Sequence, residues 1–451
     1  MVLNLPQICH HWMCGARRVG SGRYNLMGNR QMTDLGSASP QDEIPRKIDE
    51  LTGLFARRWW EAGNDPPQFE RTYPLREKLR REELLGQAAD QLIAELRLDS
   101  PGPGGREAQR QRLVNTVRGF AAAALDFDPG TVDAFLGAGF YDCAVEFARQ
   151  AHAFDPSLRG EDIYQAGRNA WSMNLFQYLF GLEVAVTPAV FAYSLLYPYT
   201  DNYLDDPALP VDLKQQASLR LTRRLAGDPA SAENAAEERI FSLIEMIEAQ
   251  FARSRYPQLF ASLQAIQAAQ VESLALLAPR AAPYDLDVLG ISLKKGGAAT
   301  LADGYLVAGS LTPEQQEFVF GYGAFTQLLD DQEDLARDRK AGLMTVFSLG
   351  SRGWQLDGLQ NRLFAFKRAA LGGMSAMDPG RTGAVAGLVF RGIDLLLIQG
   401  AALAGRFYSP RYRAALEAGF PFRFSEFSRQ QRRVFRQGVS FERLLHLLTD
   451  P

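Results

Sequence analysis

The sequence has few of the residues on which several classes of protein depend. It contains three cysteines, too few for a disulfide scaffold, and four histidines, which leaves little room for a histidine-rich metal site. Lys and Arg total 49 against 52 Asp and Glu, a net charge of −3, so no basic excess indicates binding to nucleic acid. We therefore expect a protein of the reducing cytoplasm that binds no nucleic acid.

Long apolar runs of the kind that cross membranes are also lacking. The run 184–200 contains two prolines and several hydroxyl side chains, and the apolar stretch 384–390 is followed by Arg391 and Asp394. A membrane-spanning helix needs about 20 mostly apolar residues. Both stretches are more typical of buried core helices, so we expect no transmembrane segment.

Apolar residues recur at three- and four-residue spacing almost throughout, while alternating β patterns are nearly absent. This pattern predicts an all-α protein of about a dozen helices around one core. Thr312-Pro313-Glu314-Gln315 has the signature of a helix start, because a capping residue is followed by proline at the first helical position.

The sequence predicts three parts of the chain. Residues 1–45 are expected to form a disordered leader, in which Cys9-His10-His11-Cys14 could suit a metal but has no second ligand pair. Residues 46–105 are predicted to form an N-terminal helical extension that ends in a Pro/Gly-rich linker. Residues 106–451 are predicted to form the main domain.

Two acidic clusters follow apolar helices. In the first, Asp201 and Asp205 lie about 40° apart on one helical face. In the second, Asp330, Asp331, Asp334 and Asp338 fall within an arc of about 100°.

Carboxylates in such numbers, without histidine or cysteine, suit a hard divalent cation, above all Mg²⁺. Like charges at this spacing repel, so acids that face inward need a compensating cation. Either cluster alone could be a solvated helix face. The presence of both predicts a shared magnesium site that binds a diphosphate.

These motifs resemble the class I isoprenoid synthases, which include trans-prenyltransferases, squalene and phytoene synthases and class I terpene synthases. The resemblance covers about residues 130–420 and includes Lys294-Lys295-Gly296-Gly297 and Gly321-Tyr322-Gly323 between the clusters. It implies an all-α class I isoprenoid synthase-like helical bundle around a central apolar cavity. Two Asp-rich helices would face each other across its mouth and bind three Mg²⁺ ions. The implied metal ligands are Asp201, Asp205, Asp330, Asp331, Asp334 and Asp338, of which all but Asp331 are also taken as catalytic.

The sequence lacks two motifs of these families, and their absence narrows the function that the resemblance implies. No arginine-rich motif follows the first cluster, which argues against head-to-tail chain elongation, and the tail motif of head-to-head synthases is missing after the second. The layout is similar to divergent bacterial terpene synthases, which ionise a linear prenyl diphosphate and release diphosphate. The alternatives are a prenyltransferase of the squalene/phytoene synthase type and a non-catalytic helical protein that retains the fold. Because homodimers are common among these synthases, the resemblance also makes a homodimer possible.

Basic residues near the clusters are candidates for binding the substrate diphosphate. Lys294 and Lys295 precede two glycines that we expect to break the helix and expose backbone N–H groups to the anion. Arg337 and Lys340 could close over it or be surface charge at a helix end. Arg168 is a further candidate.

Overall fold

The computed structural model describes residues 40–98, 103–205, 210–277 and 285–436. These residues form eighteen α-helices and no β-strand, which confirms the predicted all-α class. The leader, with its Cys/His cluster, lies outside the described residues up to residue 39. The first nine helices are α1 (Pro40–Glu61), α2 (Leu75–Arg97), α3 (Pro103–Leu125), α4 (Pro129–Phe135), α5 (Tyr141–Phe154), α6 (Gly160–Leu179), α7 (Pro188–Asp205), α8 (Val211–Ala226) and α9 (Ala235–Gln250).

The second half of the described chain is also helical. Several of its helices are only five to nine residues long, which is why the number exceeds the dozen or so expected from periodicity. They are α10 (Pro257–Ser273), α11 (Val288–Ala308), α12 (Pro313–Glu333), α13 (Leu335–Ala341), α14 (Val346–Gly350), α15 (Asp357–Leu371), α16 (Pro379–Leu403), α17 (Pro410–Ala418) and α18 (Phe424–Arg436).

Helix α1 packs into the main core rather than lying outside it. Ile48, Phe55 and Trp59 on its inner face are at most 2% exposed, and the helix contacts α10, α11 and α15. It begins at Pro40, before the leader boundary predicted at residue 45, because the buried Ile44 already belongs to its apolar face. The predicted division of the chain at residue 105 stays a prediction.

The capping signature at Thr312 is confirmed as the start of α12. The Thr312 hydroxyl accepts a hydrogen bond from the backbone N–H of Gln315 at 3.3 Å. The Gln315 side-chain oxygen accepts one in return from the N–H of Thr312 at 2.9 Å. This reciprocal pair satisfies two N–H groups that a helix start leaves without partners.

The predicted helix break at Gly296-Gly297 is wrong. Helix α11 runs from Val288 to Ala308 without interruption, although a glycine inside a helix costs about 1 kcal/mol relative to alanine. The two glycines serve close packing against α12 instead. A Cβ added at Gly296 would lie 2.6 Å from the Cβ of Gln327, and one at Gly297 would lie 2.5 Å from ring atoms of Phe320.

One helix in the described part of the chain is long and apolar enough to cross a membrane, judged by length and composition only. It spans Val385–Leu403 within α16, and 44% of the apolar window is buried inside the protein. The helix carries Asp394, which pairs with Lys367, and Arg391, which donates a 2.6 Å hydrogen bond to the Tyr73 hydroxyl. The expected lack of a transmembrane segment stays a prediction.

A buried carboxyl group lies where α6, α7 and α11 meet. Asp303 is 1% exposed, and its Oδ1 accepts a hydrogen bond from Asn169 Nδ2 at 3.1 Å. The same amide lies 3.3 Å from the Ser194 hydroxyl oxygen. Burial raises the pKa of Asp303 to about 8 from its ordinary value of 3.8, although the Asn169 hydrogen bond acts to lower it.

We expect the stability advantage of Asp303→Asn over the wild type to grow as the pH rises. Below 3.8 the carboxyl is protonated in both states, and between 3.8 and about 8 only the folded state keeps the proton. Ionisation of the unfolded chain therefore lowers the free energy of unfolding across this window, and the loss is complete above the folded pKa. Urea unfolding of both proteins at several pH values measures the difference. The exposed Asp228→Asn should show no such trend, and a constant difference for Asp303→Asn would contradict the prediction.

Candidate functional site

The second acidic cluster lies at the junction of α12 and α13. Helix α12 ends at Glu333, and Asp334 connects it to α13 with φ −85° and ψ 2°. The backbone N–H of Asp334 still bonds to the carbonyl of Asp330 at 2.8 Å, and that of Asp338 bonds to Asp334 at 3.0 Å. Helical phase is thus retained across the junction, so the acids stay on neighbouring faces.

The acids of this cluster are buried. Asp330 and Asp334 are each 3% exposed, Asp331 and Glu333 are 5% exposed, and Asp338 is 2% exposed. Aspartate and glutamate are almost never buried to this extent unless they are paired or bind a metal. The alternative that this cluster is a solvated helix face is therefore wrong.

Several buried carboxylate oxygens have no hydrogen-bond donor among the described residues. They are Oδ1 of Asp330, Oδ2 of Asp331 and both side-chain oxygens of Glu333. Asp331 is held through its other oxygen, which accepts a 2.9 Å hydrogen bond from Gln327 Nε2. Burying an unpartnered polar oxygen is costly, so these atoms indicate a place where a ligand would be stabilising.

Burial is also the main cause of the pKa shifts in this cluster. It raises the pKa values of Asp330 and Glu333 well above their ordinary values, and nearby carboxylates add to the effect. The pKa of Asp331 rises to about 6 and that of Asp338 to about 8 for the same reason. Such shifts show that the ionised cluster is unfavourable without added positive charge.

Three of the predicted cationic residues lie at this cluster. The charge of Arg168, on α6, lowers the pKa values of Asp330 and Glu333. Lys295, on α11, does the same for Asp331 and Asp338. Arg337 forms an ion pair with Asp334. The structure thus brings Arg168, Lys295 and Arg337 together with the second acidic motif.

Two other predicted diphosphate-binding residues are placed differently. Lys294 binds Asp49 on α1 at 3.0 Å and Glu272 on α10 at 3.1 Å. Consecutive helical residues point about 100° apart, so Lys294 and Lys295 serve different sides of α11. Lys340 is exposed in the last turn of α13.

The first acidic motif lies at the end of α7. The helix extends from Pro188 to Asp205, so Asp201 and Asp205 are on its last turns, as predicted. Their side chains lie outside the described residues. Tyr199, just before them, donates a 2.6 Å hydrogen bond to Asp155. The predicted meeting of the two motifs across a cavity therefore stays a prediction.

Within the described ranges, no three His, Cys, Asp or Glu side chains are arranged to hold a metal ion. The acidic side chains of Asp330, Asp331 and Glu333 project from one end of α12 at different angles around the helix axis. Mg²⁺ commonly takes one or two protein carboxylates and completes its shell with water and phosphate oxygens. A shared ion would therefore need those oxygens or the acids of a second helix.

Sequence reasoning missed Glu333 as a member of the site. It selected aspartates only, because the resemblance rests on Asp-rich motifs. A signal was present, because Glu333 stands three residues after Asp330 and such pairs share a helix face.

An open groove of about 520 Å³ lies elsewhere, on α18, which packs against α2. It is lined by Arg429, Arg432, Arg433 and Arg436. A prenyl chain needs an apolar wall, which four arginines do not provide. We therefore place the candidate site at the acidic cluster.

No protein-family model, no curated protein and no solved structure matches this chain. The resemblance to class I isoprenoid synthases therefore stays a prediction from the sequence motifs.

Proposed function

We propose that this protein is a Mg²⁺-dependent class I terpene synthase that ionises a linear prenyl diphosphate and releases diphosphate. The observation that carries the proposal is the buried carboxylate cluster at the α12–α13 junction, with unpartnered oxygens, between the cationic side chains Arg168 and Lys295. A buried cluster of this kind is a poor structural element by itself, because it costs stability. A cation bound between the acids would remove that cost.

The donor set fits magnesium. Every unpartnered acidic atom of the cluster is a carboxylate oxygen, and hard oxygen donors are what Mg²⁺ prefers. Asp330, Asp331, Asp334 and Asp338 would hold the ions together with Asp201 and Asp205 of the first motif. When bound, Mg²⁺ neutralises charge on a leaving diphosphate and so lowers the barrier to breaking the C–O bond.

The cationic side chains would orient the diphosphate. We assign this role to Arg168 and Lys295, because each acts on acids of the cluster from a different helix. Arg337, paired with Asp334, is close enough to exchange that carboxylate for a diphosphate oxygen. Lys294 is a weaker candidate than the sequence suggested, since two carboxylates already bind it.

Aromatic residues lie on the same helices that carry the site. Phe176 on α6 packs edge-on against Phe318 and Tyr322 of α12, with ring centroids 6.1 and 5.3 Å apart. An apolar, aromatic surrounding keeps water away from a carbocation and stabilises its charge. The same contacts also serve core packing.

Incubation of the full chain with C10 to C25 prenyl diphosphates and Mg²⁺ tests the proposal. We expect diphosphate release from one substrate alone, with a terpene hydrocarbon or alcohol detected by mass spectrometry. A product that joins two prenyl units would support the squalene/phytoene type of prenyltransferase instead. No Mg²⁺-dependent turnover of any substrate would contradict both and favour a non-catalytic helical protein.

A further inference from the structure

The turn between α14 and α15 displays a tryptophan on the protein surface. Trp354 is 81% exposed, whereas large aromatic side chains normally bury most of their area. Its backbone N–H bonds to the carbonyl of Gly350 at 3.2 Å, so the turn that carries it has a defined geometry. A single exposed apolar residue is ordinary, so the neighbours of Trp354 decide what this surface can bind.

Hydrogen bonds fasten the turn to neighbouring segments on both sides of Trp354. Before it, the Ser351 hydroxyl accepts a 2.8 Å hydrogen bond from Arg339 Nη1 on α13. After it, the backbone N–H of Leu356 bonds to the carbonyl of Phe407 at 2.9 Å. The end of α13 and the segment that follows α16 are therefore held next to the turn.

Three exposed arginines lie on these same segments. They are Arg352 in the turn itself, Arg339 on α13 and Arg406 beside Phe407. The guanidinium carbons of Arg339 and Arg406 lie 5.2 and 4.7 Å from the centroid of the Phe407 ring. None of the three has a carboxylate partner among the described residues. Together with Trp354 they form what we call the Trp354 surface, an apolar ring beside uncompensated positive charge.

We propose that the Trp354 surface docks the protein on an anionic lipid membrane. Tryptophan is enriched at the level of lipid headgroups, where its ring is apolar and its N–H stays hydrated. Anionic headgroups attract arginine side chains that come close to them. Stable peripheral binding commonly combines two such signals, one apolar and one basic. This inference goes beyond the proposed reaction and holds whether or not the protein ionises a prenyl diphosphate.

Charge decides against two other partners for this surface. A second copy related by a twofold axis would meet it with the same arginines, and like charges placed opposite each other repel. Binding to nucleic acid usually depends on a strongly basic domain, whereas this chain has a net charge of −3. An anionic membrane offers negative groups and an apolar layer together, which matches both parts of the Trp354 surface.

Co-sedimentation of the full chain with lipid vesicles tests the inference. Vesicles of equal parts phosphatidylcholine and phosphatidylserine should bind the wild type, and vesicles of phosphatidylcholine alone should bind it much more weakly. Trp354→Ala should weaken binding to the anionic vesicles at least about tenfold, because the apolar ring no longer inserts. Arg352→Gln and Arg406→Gln should each weaken it about fivefold, which corresponds to one basic residue near an anionic surface.

Matched controls separate the Trp354 surface from aromatic content and charge in general. Trp60→Ala removes a tryptophan on α1 that is 65% exposed, and Arg223→Gln removes an exposed arginine on α8. Both variants should bind vesicles like the wild type. Equal binding by Trp354→Ala and Trp60→Ala, or no binding of the wild type to the anionic vesicles, would overturn the inference. So would a wild-type dimer in light scattering that Trp354→Ala converts to a monomer, because the surface would then belong to a second copy.

Discussion

Replacing Asp330 and Asp334 together by asparagine is expected to lower diphosphate release by about 10³-fold or more. Both carboxylates are 3% exposed and lie at the centre of the cluster, where Asp330 Oδ1 lacks a donor in the described residues. Asparagine keeps the size of each side chain but removes the charge that holds a divalent cation. The rate of diphosphate release with Mg²⁺ and the best prenyl substrate measures the effect.

The fold of this double variant should survive, because it loses two buried charges that repel each other. Circular dichroism should show unchanged helicity. The matched control is Asp212→Asn with Asp228→Asn, which removes two exposed carboxylates near the ends of α8 and should leave turnover unchanged. Wild-type turnover in the Asp330/Asp334 variant would exclude the proposed site.

Gly323→Ala is expected to lower the free energy of unfolding by about 1–3 kcal/mol, even though alanine is the better helix former. A Cβ at position 323 would overlap the Thr300 hydroxyl and the backbone of Gly296 on the facing helix. Thr300 has no room to yield, since its hydroxyl donates a 2.6 Å hydrogen bond to the carbonyl of Val319. Helices α11 and α12 would have to separate. Urea unfolding measures the loss.

Gly387→Ala is the matched control for this substitution. Gly387 lies inside α16 and is exposed, and a Cβ there would meet no atom within 4 Å. Alanine should therefore stabilise that helix slightly, by up to about 1 kcal/mol. Equal effects of the two substitutions would show that close packing of α11 on α12 is not what Gly323 provides.

The helical class and the start of α12 could be predicted because they depend on local patterns. Periodicity and the capping residue Thr312 act within a few positions of the chain. The Gly296-Gly297 prediction failed because a local rule was applied to a pair whose purpose is tertiary. Glycine disfavours an isolated helix, but it is favoured where a neighbouring backbone occupies the space that a side chain would fill.

The second acidic cluster was found in the sequence, but its detailed chemistry was not. Spacing grouped the aspartates, yet burial and partners depend on helices distant in the chain, such as α6 with Arg168. Spacing could not separate Lys294 from Lys295 either, because adjacent residues differ only in the side of the helix they face. Glu333 was overlooked because the Asp-rich motif was defined by its aspartates alone.

The glycine contact between α11 and α12 also limits how this site could open and close. Lys295 is on one of these helices and the acids from Asp330 to Glu333 are on the other, and the two backbones meet at Gly296 and Gly323. We expect helices packed this closely to move together as one rigid body. The part of the site that α11 and α12 form would therefore keep its shape. In the proposed site, where α6 and the end of α7 would face these two helices, closure over a substrate would then come from α6 and α7. Hydrogen exchange should accordingly slow on substrate binding in α6 and α7, and remain unchanged along the α11–α12 seam.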